Sequence, residues 1–197
     1  MQLNMQLTTY LFDLDGTLID MRIYEKLYLP LLEKIRYKLD LTQEGLDIKA
    51  EQLNIKKASH KRYDTGELCK ALGLLDLYYE GLEKAINKEN IIRNNTKDTL
   101  KRLKQDNKTI GIISNSMKKT ILLYMDKCDL TRYIDFIFCP EDTKDNIKKD
   151  NPKFWKELIK KHDLDPKECM IIGDNPIDDI SIPDILNFNT RLLKDTT

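Results

Sequence analysis

The sequence carries no surplus of either charge. Its 33 lysines and arginines balance 33 aspartates and glutamates, so the formal net charge is zero. Polyanions and anionic bilayers are recognised through an excess of basic side chains, and the composition supplies none. No nucleic-acid or membrane partner is therefore expected. Long apolar runs are also missing. Stretches such as DLTRYIDFIFC (129–139) are too short and too interrupted to cross a bilayer, which needs about 20 apolar residues. The opening residues MQLNMQLTTY lack a basic segment followed by an apolar one, so no secretory leader is expected. Cysteine is sparse and scattered. Cys69, Cys128, Cys139 and Cys169 form no C-x-x-C pair of the kind that holds zinc or does redox chemistry. Free, buried thiols in a reducing cytoplasm are the expectation. The sequence shows neither an internal repeat nor a low-complexity linker.

A chain of 197 residues with 41% apolar and 34% charged residues can bury one ordinary core, with room for a modest insertion. Short apolar runs recur and each ends in polar residues: TTYLFDLD (8–15), KTIGIISNS (108–116), YIDFIFCPED (133–142), CMIIGDN (169–175) and, more weakly, FNTRLLK (188–194). Runs of this length, without polar alternation, suit strands buried on both faces of a parallel sheet. Helical patterns alternate with them at TKDTLKRLKQDN (96–107), MKKTILLYMDKCDL (117–130) and PKFWKELIKKHDL (152–164). The fold expected is α/β: a Rossmann-like parallel sheet of about five strands with helices on both faces. Residues 21–88 break the rhythm, because their apolar residues fall at helical spacing with no strand-like run. Four helices inserted after the first strand make a separate all-α unit, leaving residues 1–20 and 89–197 as the α/β core. The unit leaves and rejoins the core near the first strand, so it is expected above that strand's carboxyl end.

Ligands of open parallel sheets bind at the carboxyl ends of the strands. The first run ends in Asp13, Asp15, Gly16 and Thr17, and the second in Ser114 and Asn115. The fourth ends in Gly173, Asp174 and Asn175, followed by Asp178 and Asp179, and Lys148-Lys149 precede Pro152 and the helix with Trp155. Two carboxylates as close as Asp13 and Asp15 repel one another and are costly to desolvate, so a neutralising partner is expected nearby. Each feature has a structural reading as well. The aspartate pair could cap a helix, Ser114 and Asn115 could do the same while binding an anion, and the later acids could be a solvated turn. His60 and His162 are expected at the surface. Trp155 is expected to pack its helix on the sheet, and Tyr24, Tyr28, Tyr78 and Tyr79 to fill the core of the helical unit.

In order, DLDGT, IISNS, a lysine ahead of a helix, and IIGDNPIDD resemble the four motifs of the haloacid dehalogenase-like hydrolase superfamily, over about residues 7–20 and 90–193. The resemblance makes the helical insertion a cap. It implies a magnesium-dependent phosphatase of a small phosphorylated metabolite, working through an aspartyl-phosphate. In that scheme Asp13 is the nucleophile and a magnesium ligand. Asp15 is the acid and then the base, and its backbone carbonyl also binds the metal. Asp174 and Asp179 complete the metal set, with Asp178 the competitor for the last place. Ser114, Asn115, Thr17 and Lys149 hold phosphate oxygens. Family members usually place a proline after the lysine, whereas Asp150 follows Lys149 here; Lys148 is its neighbour, and Lys144 and Lys153 lie near. Asn187 stands where a glycine commonly precedes the last strand, and asparagine tolerates the left-handed conformation that turn needs. A phosphotransferase or sugar-phosphate mutase shares these motifs, and a non-catalytic binding protein could use the same scaffold.

Overall fold

The structure is a computed structural model that describes residues 6–57, 61–86 and 91–193; His60 lies outside the described residues. The chain divides into two compact units, Met1–Asp20 with Ile91–Thr197, and Met21–Asn90. In the first, strands β1 (Thr9–Phe12), β2 (Thr109–Ile113), β3 (Phe136–Phe138), β4 (Cys169–Gly173) and β5 (Asn189–Leu192) form one sheet in the order β3-β2-β1-β4-β5. Every pairing is parallel. The central strands are apolar on both faces, with Leu11, Phe12, Ile110, Ile112, Ile113 and Ile171 all buried. β5 is an edge strand whose Arg191 and Leu192 are exposed, which explains why its run reads weakly in the sequence. β3 is only three residues long, because Pro140 lacks an N–H and opens a tight turn over Pro140–Asp142.

The second unit is all helical. Helix α1 (Arg22–Leu39) buries Ile23, Leu27, Leu31, Leu32 and Ile35, and it packs against α4 (Leu75–Ile86), which buries Tyr78, Leu82 and Ile86. Between them, α2 (Gln43–Gln52) begins at Thr42, whose hydroxyl accepts the Gly45 N–H at 3.1 Å. α3 (Thr65–Ala71) begins at Asp64, which accepts the Glu67 N–H at 2.8 Å. α2 ends at Gln52, and Asn54 just beyond it turns left-handed at φ 58°. The carboxylate of Asp47 then gathers the returning chain, accepting from Tyr63 Oη at 2.8 Å and Lys57 Nζ at 2.8 Å. Of the four tyrosines expected in this core only Tyr78 is buried; Tyr24, Tyr28 and Tyr79 are half-buried.

Back in the first unit, α5 (Thr96–Gln105), α6 (Lys118–Lys127) and α7 (Pro152–His162) flank the sheet on its two faces, and a π-helical turn at Pro176–Ser181 runs into the short α8 (Ile182–Ile185). Asn187 is left-handed at φ 65° in the turn before β5. Phe154, Trp155 and Leu158 of α7 pack with Leu11, Ile113, Phe138, Ile171 and Phe188 as the core. The same α7 face explains a departure from expectation. His162 follows Phe154 and Leu158 at four-residue steps, so it is half-buried rather than a surface residue, and its ring stacks on Phe136 at 3.9 Å. Burial, aided by Lys161 and opposed by Asp142, lowers its pKa. All four cysteines are free and buried. Burial pushes the thiols of Cys69 and Cys139 up to about 12 and those of Cys128 and Cys169 to about 11, so they remain protonated and inert.

Asp142 ties α6, α7 and the end of β3 together. Its side chain is 6% exposed, and it accepts from Lys118 Nζ at 2.6 Å and Lys161 Nζ at 2.8 Å. Burial alone would raise this carboxyl, but hydrogen bonds from the two lysines and Cys139 outweigh it and bring the pKa down to about 2. A depressed carboxyl stabilises the fold above its ordinary pKa and ceases to as the pH falls through its folded value. Asp142→Asn is therefore expected to cost about 1 kcal/mol at neutral pH, a figure reduced for the half-exposed lysines. The gap between wild-type and variant melting temperatures should close between pH 4 and pH 2, about the interval between 3.8 and 2 over which this carboxyl titrates.

Candidate active site

The strand order reverses between β1 and β4, which opens a crevice at their carboxyl ends. Phe12 pairs with Ile112 on one side and Ile172 on the other, so the residues that follow these strands emerge side by side. Asp13 extends the ladder by donating its N–H to the Ile172 carbonyl at 2.9 Å, and the chain then coils tightly. The Leu14 carbonyl accepts from Leu18 and Ile19 at 2.9 Å each, and Gly16 donates to Ile19 at 2.8 Å. Gly16 lies at φ 88°, and a Cβ there would stand 2.1 Å from the carboxylate of Asp174. Glycine is required on both counts, for conformation and for room. The guanidinium of Arg93 donates to the Gly16 carbonyl, and the Arg93 N–H donates to Leu18 at 3.0 Å.

Lys149 is the centre of the site. It is 3% exposed, and its ammonium contacts Asp13 Oδ1 and, at 2.7 Å, Asp179 Oδ1. Asp13 and Asp179 are themselves buried, at 6% and 1% exposure. Asp179 Oδ2 accepts the Asn175 N–H at 3.0 Å, and a Cβ on Gly173 would collide with the same carboxylate. The Asn175 side chain caps the π-helical turn by accepting from Ile177 and Asp178. From the end of β2, buried Ser114 accepts the Ser116 N–H at 3.0 Å. Asn115 Oδ1 accepts the Lys149 N–H at 2.8 Å, while its Nδ2 donates to Asp178 at 3.1 Å. Ser116 Oγ donates to Asp15 Oδ2 at 2.7 Å.

Asp13 and Lys149 are both pushed upward, and the two shifts have one explanation. Burial raises the Asp13 pKa most; Lys149 opposes it, and the charges of Asp179 and Asp15 add to it, carrying it to about 7. For Lys149 burial acts downward, yet attraction to both Asp13 and Asp179 overrides it. A single ammonium shared by two buried carboxylates is held firmly, but it leaves Asp13 among excess negative charge. Burial also raises Asp178. Oxygens of Asp13, Asp174 and Asp179 lie within 4.8 Å of one another. Hard oxygen donors and excess negative charge fit a divalent cation such as magnesium, and the space kept at Gly16 lets the Asp174 carboxylate join them.

Of the residues singled out from the sequence, the structure brings Asp13, Asp174, Asp179 and Lys149 into one cluster. Asp15, Ser114 and Asn115 border it, and Asp178 pairs with Asn115 rather than with the lysine. Thr17 is buried, and its hydroxyl has no hydrogen-bond partner among the described residues. Ser116, Arg93 and the indole of Trp155 join the site without having been singled out for it. Ser116 sits inside the IISNS motif and could have been found there, whereas nothing in the sequence links Arg93 to Gly16, 77 residues away.

A parallel sheet with acids and a buried lysine gathered at its switch point defines an α/β enzyme of Rossmann-like architecture. The family model described as haloacid dehalogenase-like hydrolase matches residues 10–182, and the chain belongs to that family of hydrolases. It is 27% identical over 180 residues, covering 90% of this chain and 77% of the other, to a protein of Caldanaerobacter subterraneus subsp. tengcongensis named "Putative pyrophosphatase PpaX". Among solved structures, a HAD phosphatase from Thermococcus onnurineus superposes with a TM-score of 0.75 at 24% identity, covering 96% of this chain and 87% of that one. The magnesium-bound form of YfnB from Bacillus subtilis, described as a HAD-hydrolase, gives 0.68 at 19% identity, covering 98% and 91%. At these identities the superpositions speak for the fold.

Lys149→Met removes the counter-charge and leaves two buried carboxylates facing each other. It is expected to lower stability by about 3–5 kcal/mol in chelator-treated buffer, as measured by urea unfolding. Lys156→Met, at an exposed position of α7, should change it by less than about 0.5 kcal/mol.

Proposed function

We propose that the chain is a magnesium-dependent phosphatase of a small phosphomonoester, with an aspartyl-phosphate formed on Asp13 and with the helical unit serving as its cap. The observation that carries this reading is the unequal treatment of two acids two residues apart. Asp13 lies against Lys149 in the buried cluster, whereas Asp15 is bonded to the hydroxyl of Ser116. Burial works against ionising Asp13, so Lys149 and a bound divalent cation would hold it ionised for attack, while Asp15, outside the lysine's contacts, exchanges the proton.

In the first step an Asp13 carboxylate oxygen attacks phosphorus and the bond to the leaving oxygen breaks. Asp15, protonated, gives that oxygen its proton. In the second step water attacks the same phosphorus and Asp15 takes the proton from water. The acyl-phosphate bond breaks, and Asp13 and inorganic phosphate are released. The hydroxyl of Ser114, the main-chain N–H of Asn115 and the ammonium of Lys149 hold the non-bridging oxygens, and Thr17 contributes at the turn. Asp13, the Asp15 carbonyl, Asp174 and Asp179 would hold magnesium, which supplies charge neutralisation to the phosphoryl oxygens when bound. Similarity to a protein named as a pyrophosphatase supports water as the acceptor and extends the substrates to small phosphoanhydrides. The partner proposed is a small phosphorylated metabolite, because the balanced composition offers no basic surplus to recruit nucleic acid or an anionic membrane.

Hydrolysis of an aryl phosphate with and without magnesium tests the reading. Asp13→Asn should reduce the magnesium-dependent rate by at least about 10³-fold and form no acid-stable phosphoenzyme. Asp15→Asn should reduce it by about 10²–10⁴-fold and accumulate phosphoenzyme that fails to discharge. Wild-type rates no higher than those of Asp13→Asn under both conditions would sink the proposal.

A further inference from the structure

The position of Lys149 is set from its main chain as well as from its ammonium. Its N–H is held by Asn115 at 2.8 Å, and its carbonyl accepts from the indole Nε1 of Trp155 at 2.9 Å. The local chain adds little rigidity of its own, since Lys149 sits inside a turn closed by one backbone bond, Asn151 N–H to the Lys148 carbonyl at 3.1 Å. A lysine ammonium rides on a flexible four-carbon stem, so its place in the site depends on where its backbone is anchored.

Trp155 is the only tryptophan in the chain and is fully buried in the first turn of α7. Its ring packs edge-on against Phe154 and Phe188 at 5.6 and 5.7 Å, within a cluster of otherwise apolar side chains. Burying an indole there is favourable only if its N–H finds an acceptor, because an unsatisfied donor in such surroundings is costly. Packing alone would be served by phenylalanine. The acceptor it finds is the carbonyl of the residue whose ammonium contacts Asp13.

We infer that Trp155 is a positioning residue, which fixes the Lys149 carbonyl through its indole N–H and so holds the lysine ammonium against Asp13. Its bearing on turnover rests on the phosphatase reading, in which Lys149 is the charge partner of Asp13 and of the phosphoryl group. The sheet core and the active site are thereby joined by one hydrogen bond between α7 and the turn that precedes it.

Because there is one tryptophan, biosynthetic replacement by β-(benzothienyl)alanine changes this site alone, exchanging the N–H for sulfur at nearly constant shape. This protein, Trp155→Phe and Leu158→Ala are compared with wild type. Leu158 is equally buried on the same helix and serves as the packing control. Two readouts are taken: kcat/KM on an aryl phosphate with magnesium, and the acetylation rate of Lys149 relative to exposed Lys153, mapped by mass spectrometry. The benzothienyl protein and Trp155→Phe should lose about tenfold in kcat/KM, since small displacements of a charge-stabilising group are felt at the reacting centre. Lys149 should be acetylated about fivefold faster in both, as expected when a buried group opens more often. Leu158→Ala should lower the melting temperature at least as much, yet leave kcat/KM and labelling within about twofold. Wild-type labelling of Lys149 in the benzothienyl protein would overturn the inference, whatever the activity. An inactive wild type with the labelling difference intact would instead overturn the phosphatase reading and leave the inference standing.

Discussion

Lys149 places one ammonium between two buried carboxylates, and the arrangement of the site follows from that contact. Asp13 follows β1 and Asp179 lies in the π-helical turn after β4, and neither could be this dry without a counter-charge in reach. Desolvating a carboxylate is expensive, and two of them side by side are more so. The lysine makes the juxtaposition tolerable without cancelling it, since Asp13 still feels Asp179 and Asp15. A site built in this way is held together by the lysine and keeps an appetite for positive charge. That appetite is the physical basis for reading it as a cation site.

The scaffold's contribution is alignment. Parallel strands in register bring the ends of β1, β2 and β4 to one edge, so that short polar segments separated by some 60 to 160 residues of chain arrive together. Two glycines at that edge mark where side chains would collide, with carboxylates taking the space a Cβ would fill at Gly16 and Gly173. The turn after β1 is closed by its own backbone bonds and is then tied to the returning chain by Arg93. Asp15 thus stands in a fixed loop beside Ser116, clear of the lysine's direct contacts. In the proposed reaction this separation is what distinguishes the nucleophile from the proton carrier.

The supporting groups are chosen for hydrogen bonding rather than bulk. Asn115 uses both ends of its amide, one toward the Lys149 backbone and one toward Asp178. Asn175 caps the turn that presents Asp179 and donates its own N–H to that carboxylate. Asp142 plays the corresponding part away from the site, where two lysines from different helices meet one shielded carboxylate. In each case a polar side chain satisfies several partners at once, which is how irregular loops gain definition without an apolar core.

Much of this was legible in the chain itself. Five short apolar runs with polar endings, the last of them weak, marked the five strands and the edge to which they point. The ordered motifs supplied the candidate acids, the serine and the lysine. Even the left-handed turn at Asn187 could be anticipated from residue type. The folded arrangement gives Asp179, the acid the motif favours, to the lysine and its competitor Asp178 to Asn115, because adjacent residues in a π-helical turn point in different directions. It alone turned His162 inward, through a helical face shared with Phe154 and Leu158, and brought Arg93 to Gly16. Periodicity and motifs report local geometry, which the sequence determines over a few residues. Pairings between distant segments depend on how the strands are ordered and how each loop closes, and those are decided only when the whole core packs.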